Sequence, residues 1–159
     1  FFAPLGMTNS YVFTMSDSLK ALPSYNYKNK QEAFTFLDAV YGDKNIYSTV
    51  RDLLKWETAL SYGSMFKQST LDSAYAGYSY EKKGIKNYGL GWRMLEYPNN
   101  EKIIYHNGWW HGNNTVFARI IKDSATIIIL GNKYNRNIYQ AKKLFPAFGN
   151  YATDEDTDE

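Results

Sequence analysis

The chain reads as an α+β domain, an antiparallel β-sheet with flanking helices, and three observations predict it. Residues 48–75 carry helical spacing opened by hydroxyl N-caps. From Gly77 to Leu130 short β-rich runs alternate with Pro, Asn, Gly and Asp turn signals, and residues 136–145 return to helical spacing. Helices, then a meander of strands, then a helix is the order in which helices cover an antiparallel sheet.

The elements follow in order. Phe1-Phe2-Ala3-Pro4-Leu5-Gly6-Met7 reads as a helix end running into a turn, so the chain enters in mid-element, and a first residue other than Met places the translational start further upstream. Residues 8–30 lack sustained periodicity and read as extended or irregular. Gln31 to Val40 reads as a short turn or strand, and Gly42-Asp43-Lys44-Asn45 as a loop. Ser48-Thr49 then supplies an N-cap, with Asp52 as the capping-box acid and Val50, Leu53, Leu54, Trp56 and Leu60 as the helical stripe. A shorter helix is predicted over Ser69–Tyr75. Strands are expected over Tyr88–Leu95, Lys102–Tyr105, Thr115–Ile121 and Ala125–Leu130, with turns at Pro98-Asn99-Asn100, Gly112-Asn113-Asn114 and Asp123-Ser124. A final helix fits Arg136–Phe145, with Ile138, Ala141, Leu144 and Phe145 on one side and Pro146 ending it. Residues 1–150 form the domain; 151–159, with five acids in the last six positions, read as a disordered acidic tail.

Composition removes several functional classes. At 159 residues and 44% hydrophobic the chain has the length and apolar content of one folded domain. A net charge of +2 gives no nucleic-acid footprint. The longest apolar run has a strand's length, so no transmembrane segment is expected. With no cysteine there is neither a disulfide scaffold nor a thiol nucleophile. No metal or cofactor is implied: His106 and His111 have no carboxylate between them. Fifteen tyrosines suit half-exposed sheet faces and grooves.

The chemistry concentrates in Tyr105-His106-Asn107-Gly108-Trp109-Trp110-His111-Gly112, between two apolar runs. Asn-Gly between such runs is a strong hairpin signal. Against it, Trp109-Trp110-His111-Gly112 does not alternate as a returning strand does, so hairpin turn and functional site stand level. Two Trp beside Gly also suit stacking on sugar faces, which keeps open a non-catalytic glycan or peptidoglycan binder using Trp109, Trp110 and nearby Tyr. Ser64-Met65-Phe66-Lys67 has the Ser-x-x-Lys spacing, which on a helix puts a hydroxyl one turn from an amine. Its polar setting in the link between two helices argues against a nucleophile, although a small self-sufficient hydrolase built on Ser64 and Lys67 is the catalytic alternative. Tyr97-Pro98-Asn99 is better explained as a turn than as a Tyr-x-Asn motif.

With these residues in view the chain resembles the serine β-lactamase and penicillin-binding-protein superfamily, in particular class C-like members that include DD-peptidases and esterases. Pro4-Leu5-Gly6-Met7 is similar to the family's "PLGM" segment, Ser48-Thr49-Val50-Arg51-Asp52-Leu53 to its "ST-x-x-DL" helix, and Tyr88-Gly89-Leu90-Gly91-Trp92 to its "YGLGW" strand. His106-Asn107-Gly108 falls where the family carries Lys-Thr-Gly or His-x-Gly. The resemblance implies the C-terminal portion of the β-lactamase/transpeptidase-like fold, with the Ser-x-x-Lys and Tyr-x-Asn motifs upstream of Phe1. It implies acyl transfer to or hydrolysis of a peptide, ester or β-lactam, with His106 orienting or polarising at the cleft. Gly108 would keep the wall low, and the Trp109 backbone N–H would point at the developing oxyanion, a donor worth roughly 3–4 kcal/mol. Asn107 and Trp110 are the candidate substrate-binding residues. His in place of Lys lacks a fixed charge for a penicillin carboxylate and tilts the reading toward peptidase or esterase. The implied partners are a small-molecule or peptide substrate, and either a second copy or the N-terminal half, paired through an exposed sheet edge. The implied location of the full form is extracytoplasmic, periplasmic or secreted.

Overall fold

The structure, a computed structural model, describes residues 1–63, 65–80 and 83–151. Its first residues form turns, with Leu5 N bonded to Phe1 O and Gly6 at φ +65. Two short strands, β1 (Tyr11–Val12) and β2 (Ile46–Tyr47), pair antiparallel and close off the intervening loop. Phe13 beside them is fully buried against Phe34 and Tyr47.

Helix α1 (Val50–Tyr62) starts where its cap residues predict: the Thr49 side chain accepts from Asp52 N. The Asp52 carboxylate is used elsewhere, accepting from Asn9 N at 2.7 Å, Ser10 Oγ at 3.0 Å and Lys55 Nζ at 2.9 Å. Burial works to raise its pKa, but the bonds from Lys55, Asn9 and Ser10 outweigh that and hold it below the ordinary value. The cap acid therefore ties the N-terminal turns to α1. The expected apolar stripe is only partly buried: Ala59 and Leu60 are covered, whereas Val50 and Leu54 face solvent, because Asp52 and Ala59 take the inward positions. Helix α2 (Gln68–Ala74) follows.

The five-stranded sheet runs β3-β4-β5-β6-β7 in sequence order, every pair antiparallel. Its strands are β3 (Lys86–Tyr88), β4 (Arg93–Glu96), β5 (Lys102–Trp110), β6 (Asn113–Ile120) and β7 (Ala125–Gly131). Two strand expectations need correction. Tyr88–Leu95 is two strands, not one, because the chain reverses at Gly89–Trp92: Gly89 N bonds Trp92 O at 2.7 Å and Gly91 sits at φ +75, open to glycine without strain. The strand from Lys102 does not stop at Tyr105 but runs through His106-Asn107-Gly108 to Trp110. The reversal falls at His111-Gly112, with His111 at φ +51. Asn107-Gly108 is not the turn.

Side chains alternate across the sheet. Leu95, Ile103, Val116, Ala118 and Ile120 lie on one face under Ala141, Phe145 and Tyr151. Met94, Ile104 and Arg119 lie on the other, toward α1 and α2, where Arg119 Nε donates to Glu57 Oε2 at 2.5 Å and the guanidinium also reaches the Tyr75 hydroxyl. The expected final helix is present as a 3₁₀ winding over Arg136–Ala147, and Pro146, expected to end it, lies inside it. Its anchors are tertiary: Asn135 N bonds Asn114 Oδ1 at 2.7 Å and the Tyr139 hydroxyl bonds Gly108 O at 2.9 Å. Leu144, expected inward, is half exposed, and Ala141 and Phe145 carry the contact. Tyr151, grouped with the acidic tail on sequence, is fully buried and donates to Asp123, so packing continues one residue beyond 150. Residues 152–159 lie outside the described residues.

Candidate active site

The candidate site follows from where β4 stops. β4 pairs with β5 only from Glu96↔Lys102 to Arg93↔Tyr105, whereas β6 accompanies β5 to Trp110↔Asn113. Among the described residues no strand pairs with the β4 side of β5 from His106 onward, which leaves an open edge there. The two-residue turn makes Trp110 and Asn113 a hydrogen-bonded pair, and in an antiparallel ladder the bonded pairs alternate. His106, Gly108 and Trp110 therefore spend their backbone groups on β6. Asn107 and Trp109 present N–H and C=O to the open edge.

Side chains divide by the same parity. His106 and Trp110 point their side chains, and Gly108 its bare α-carbon, to the α1/α2 face, into a cleft of about 640 Å³ that Thr115, Leu130 and the Lys44–Ser48 segment around β2 also line. Asn107 and Trp109 project their side chains to the opposite face. The five candidate residues thus split into two that bring side chains to the cleft, His106 and Trp110, one glycine that leaves space there, and two that bring backbone. For Trp109 backbone is the expected contribution; its ring is 70% exposed and meets Tyr134 edge-on at 6.3 Å. Asn107 reaches the cleft edge with its peptide groups, not its carboxamide. Because neighbours in a strand face opposite ways, Trp109 and Trp110 do not form one stacking platform.

His106 is exposed at the rim, its Nε2 3.3 Å from the Tyr88 hydroxyl and its Nδ1 2.9 Å from Asn107 O. Gly108 needs its missing side chain: a Cβ there would lie 2.3 Å from Thr115 Oγ1 on β6. Trp110 is held in place. Its indole N–H donates to Asp38 Oδ1 at 2.7 Å, and Lys44 Nζ sits 4.2 Å from its ring centre.

Asp38 is the residue sequence reasoning missed. It is buried, and besides Trp110 it accepts from Thr35 N at 2.6 Å, Thr35 Oγ1 at 3.0 Å and His111 Nε2 at 3.3 Å. Burial works to raise its pKa, but the hydrogen bonds from Thr35, Trp110 and His111 hold it below the ordinary carboxylate value. Thr35-x-x-Asp38 is a capping-box spacing, and that was the available signal. The carboxylate staples the loop that walls the cleft to the β5–β6 turn. Next to it, burial, with Asp38 and Tyr11 nearby, pushes the Tyr47 phenol up to about 12, so it stays protonated at neutral pH.

Of the other candidates, Ser64 lies outside the described residues, and Lys67 is exposed at the N-cap of α2. Tyr97 is buried against Tyr151 on the face away from the cleft, and Tyr97–Glu101 forms the expected turn, with Tyr97 N bonded to Glu101 O. Among the described residues no three His or acidic side chains cluster as metal ligands, and no helix is long and apolar enough to cross a membrane.

Comparison with known proteins places this arrangement. The chain is 24% identical over 155 residues to penicillin-binding protein 4* of Bacillus subtilis (strain 168), covering 87% of this chain and 34% of that protein. The octameric penicillin-binding protein homologue from Pyrococcus abyssi superposes with a TM-score of 0.73 at 18% identity, over 94% of this chain and 36% of that one. The β-lactamase/D-alanine carboxypeptidase from Pseudomonas syringae gives 0.70 at 20% identity, over 91% and 49%. The chain thus spans about a third to a half of the length of these relatives, and the α+β fold is theirs. The sequence model of the Beta-lactamase family matches residues 1–144, so the chain belongs to the β-lactamase family, that of the penicillin-binding-protein-like serine hydrolases.

Proposed function

We propose that this chain forms the sheet-side wall of an acyl-transfer cleft in a serine hydrolase acting on a peptide, ester or β-lactam, extracytoplasmic in its full form, with the nucleophile supplied from outside these residues. The observation that carries the reading is the open edge of β5, where the Trp109 N–H faces the substrate side beside His106 and Gly108. An extended substrate adds there as a further strand, bonding the edge-facing groups of Asn107 and Trp109, with the Asn107 carbonyl shared with His106 Nδ1. As the attacked carbonyl becomes tetrahedral, its oxygen gains charge, and a fixed N–H aimed at that position stabilises the transition state more than the ground state. His106, steered by Tyr88, orients or polarises at the rim. An imidazole without fixed charge favours peptidase or esterase chemistry over capture of a penicillin carboxylate.

The partner expectation has a matching physical basis. Among the described residues β7 pairs only with β6, leaving its outer edge open along a strand of part-exposed Ala, Thr, Ile and Leu. Such an edge recruits a strand, from a second copy or from the segment that carries the nucleophile. Sedimentation separates these outcomes: a monomer that stays monomeric after addition of the nucleophile-bearing segment refutes both.

Intact mass after exposure to a fluorophosphonate and to a penicillin tests the catalytic reading. Neither reagent is expected to add mass to this chain by itself. An adduct mapping to Ser64 would make Ser64 and Lys67 the catalytic pair and overturn the proposal.

A further inference from the structure

We propose that Tyr139 and Asn114 are positioning residues that orient and polarise the Gly108–Trp109 peptide group from behind the cleft. The proposal rests on the reading of the Trp109 N–H as an oxyanion donor, and it concerns residues on the opposite face of the sheet.

Gly108 C=O and Trp109 N–H are two ends of one planar trans amide and point in opposite directions. With the N–H at the open edge, the carbonyl points toward β6, where the Tyr139 hydroxyl donates to it at 2.9 Å. The direction of that bond is set by a second one. Asn114 Nδ2 donates to the Tyr139 oxygen at 2.9 Å, so the phenol proton is left for Gly108. The orientation of the Asn114 amide is set in turn, because Asn135 N, which can only donate, lies 2.7 Å from Oδ1. Asn114 is fully buried and sits opposite Trp109 in the β5–β6 ladder.

The result is a one-way chain: Asn135 fixes Asn114, Asn114 fixes Tyr139, and Tyr139 loads the carbonyl whose peptide partner faces the cleft. Hydrogen bonds in series strengthen one another, and a donor at the carbonyl end increases the positive character of the N–H end. The 3₁₀ segment, which brings in Asn135 and Tyr139, thereby acts on the cleft without lining its catalytic side. Phe at 139 would keep the ring but delete both the donor to Gly108 and the acceptor of Asn114 Nδ2, so the isosteric fluorotyrosines, which keep both, carry the test.

The test reads the peptide group directly. With the chain labelled for NMR, Tyr139 is replaced by fluorotyrosines of graded acidity, which keep the shape and strengthen the donor. The Gly108 carbonyl carbon and the Trp109 amide proton should both move downfield in step with phenol acidity, and both should move upfield in Tyr139→Phe. The Asn135 amide is the control and should keep its exchange protection throughout, since its acceptor is untouched. A Gly108 carbonyl indifferent to phenol acidity overturns the relay, as does a response that appears only together with loss of Asn135 protection. A purely structural role for Tyr139 predicts no grading across isosteric rings. Acyl-transfer activity is read separately, so failure of the relay and failure of the oxyanion reading are distinguishable.

Discussion

Gly112→Ala measures how the irregular N-terminal region is seated on the hairpin that carries the cleft strand. Gly112 occupies the β5–β6 turn, and a Cβ built there would lie 2.1 Å from Tyr25 O and 2.6 Å from Tyr25 C and N. All three contacts are backbone, so no rotamer change relieves them. Tyr25 is itself held on both sides, its N–H on Asn132 O at 2.8 Å and its carbonyl on Tyr134 N at 2.8 Å. The methyl group must push this segment off the end of β7. Overpacking of this kind costs about 1–3 kcal/mol. At roughly 2–4 °C per kcal/mol for a chain of this size, Tm should fall by about 2–12 °C. Gly131→Ala is the control: its nearest neighbour is Asn114 O at 3.4 Å, an ordinary contact, and its effect should stay within about 1 kcal/mol. Thermal denaturation gives the magnitude, and amide exchange at Tyr25 and Tyr134 gives the location. A Gly112→Ala protein with unchanged Tm and both amides still protected refutes the seating argument.

Three further perturbations bear on the site and its support. Asp38→Asn should loosen Trp110 and the cleft loop. Because the folded carboxyl is held below its ordinary value, the stabilisation is present above the unfolded pKa of about 3.9 and is lost as pH falls through the folded value. The stability gap between wild type and variant in urea titrations should therefore be wide at pH 7 and close in acid; a pH-independent gap counts against the charge. Arg119→Met strands the largely buried Glu57 carboxylate and should cost about 3–5 kcal/mol, with much of it restored by adding Glu57→Leu; strictly additive losses in a double-mutant cycle contradict the pairing. In a protein that carries the proposed nucleophile as well, Trp109→Pro deletes an N–H that no strand among the described residues uses, so the fold should survive as proline does at a sheet edge. The same change should lower kcat about 10²–10³-fold. Full activity with proline at 109 removes Trp109 from the oxyanion role.

Local rules carried much of the fold. The Thr49 cap, the strand from Ala125 and the turn at Pro98-Asn99-Asn100 are set by residues adjacent in sequence, so a window of a few residues contains their causes. Where the reading failed, the deciding contacts were remote. Tyr88–Leu95 has the composition of a single strand, but the chain reverses at Gly91. Val50 and Leu54 match a helical stripe, but the helix turns Asp52 inward because Asn9, Ser10 and Lys55 satisfy it there. The Arg136–Ala147 winding depends on Asn114 and Gly108, more than twenty residues away.

For the candidate site, the sequence by itself singled out one run: an unusual His-Asn-Gly-Trp-Trp within the β-rich region, in the order of a known family. Tertiary structure decided what each residue offers. Whether Asn107 and Trp109 present side chain or backbone to the cleft depends on strand parity, on the β4–β5 pairing stopping at Arg93↔Tyr105 and on the turn falling at His111-Gly112. None of these is encoded in the run itself. Asn114 and Tyr139 were invisible, and Asp38 was signalled only as a cap, for the same physical reason. A polar residue in a loop or at a strand end looks solvated until the fold removes water from it and supplies its partners, and apart from the Thr35 cap of Asp38 those partners lie 21 to 73 residues away along the chain.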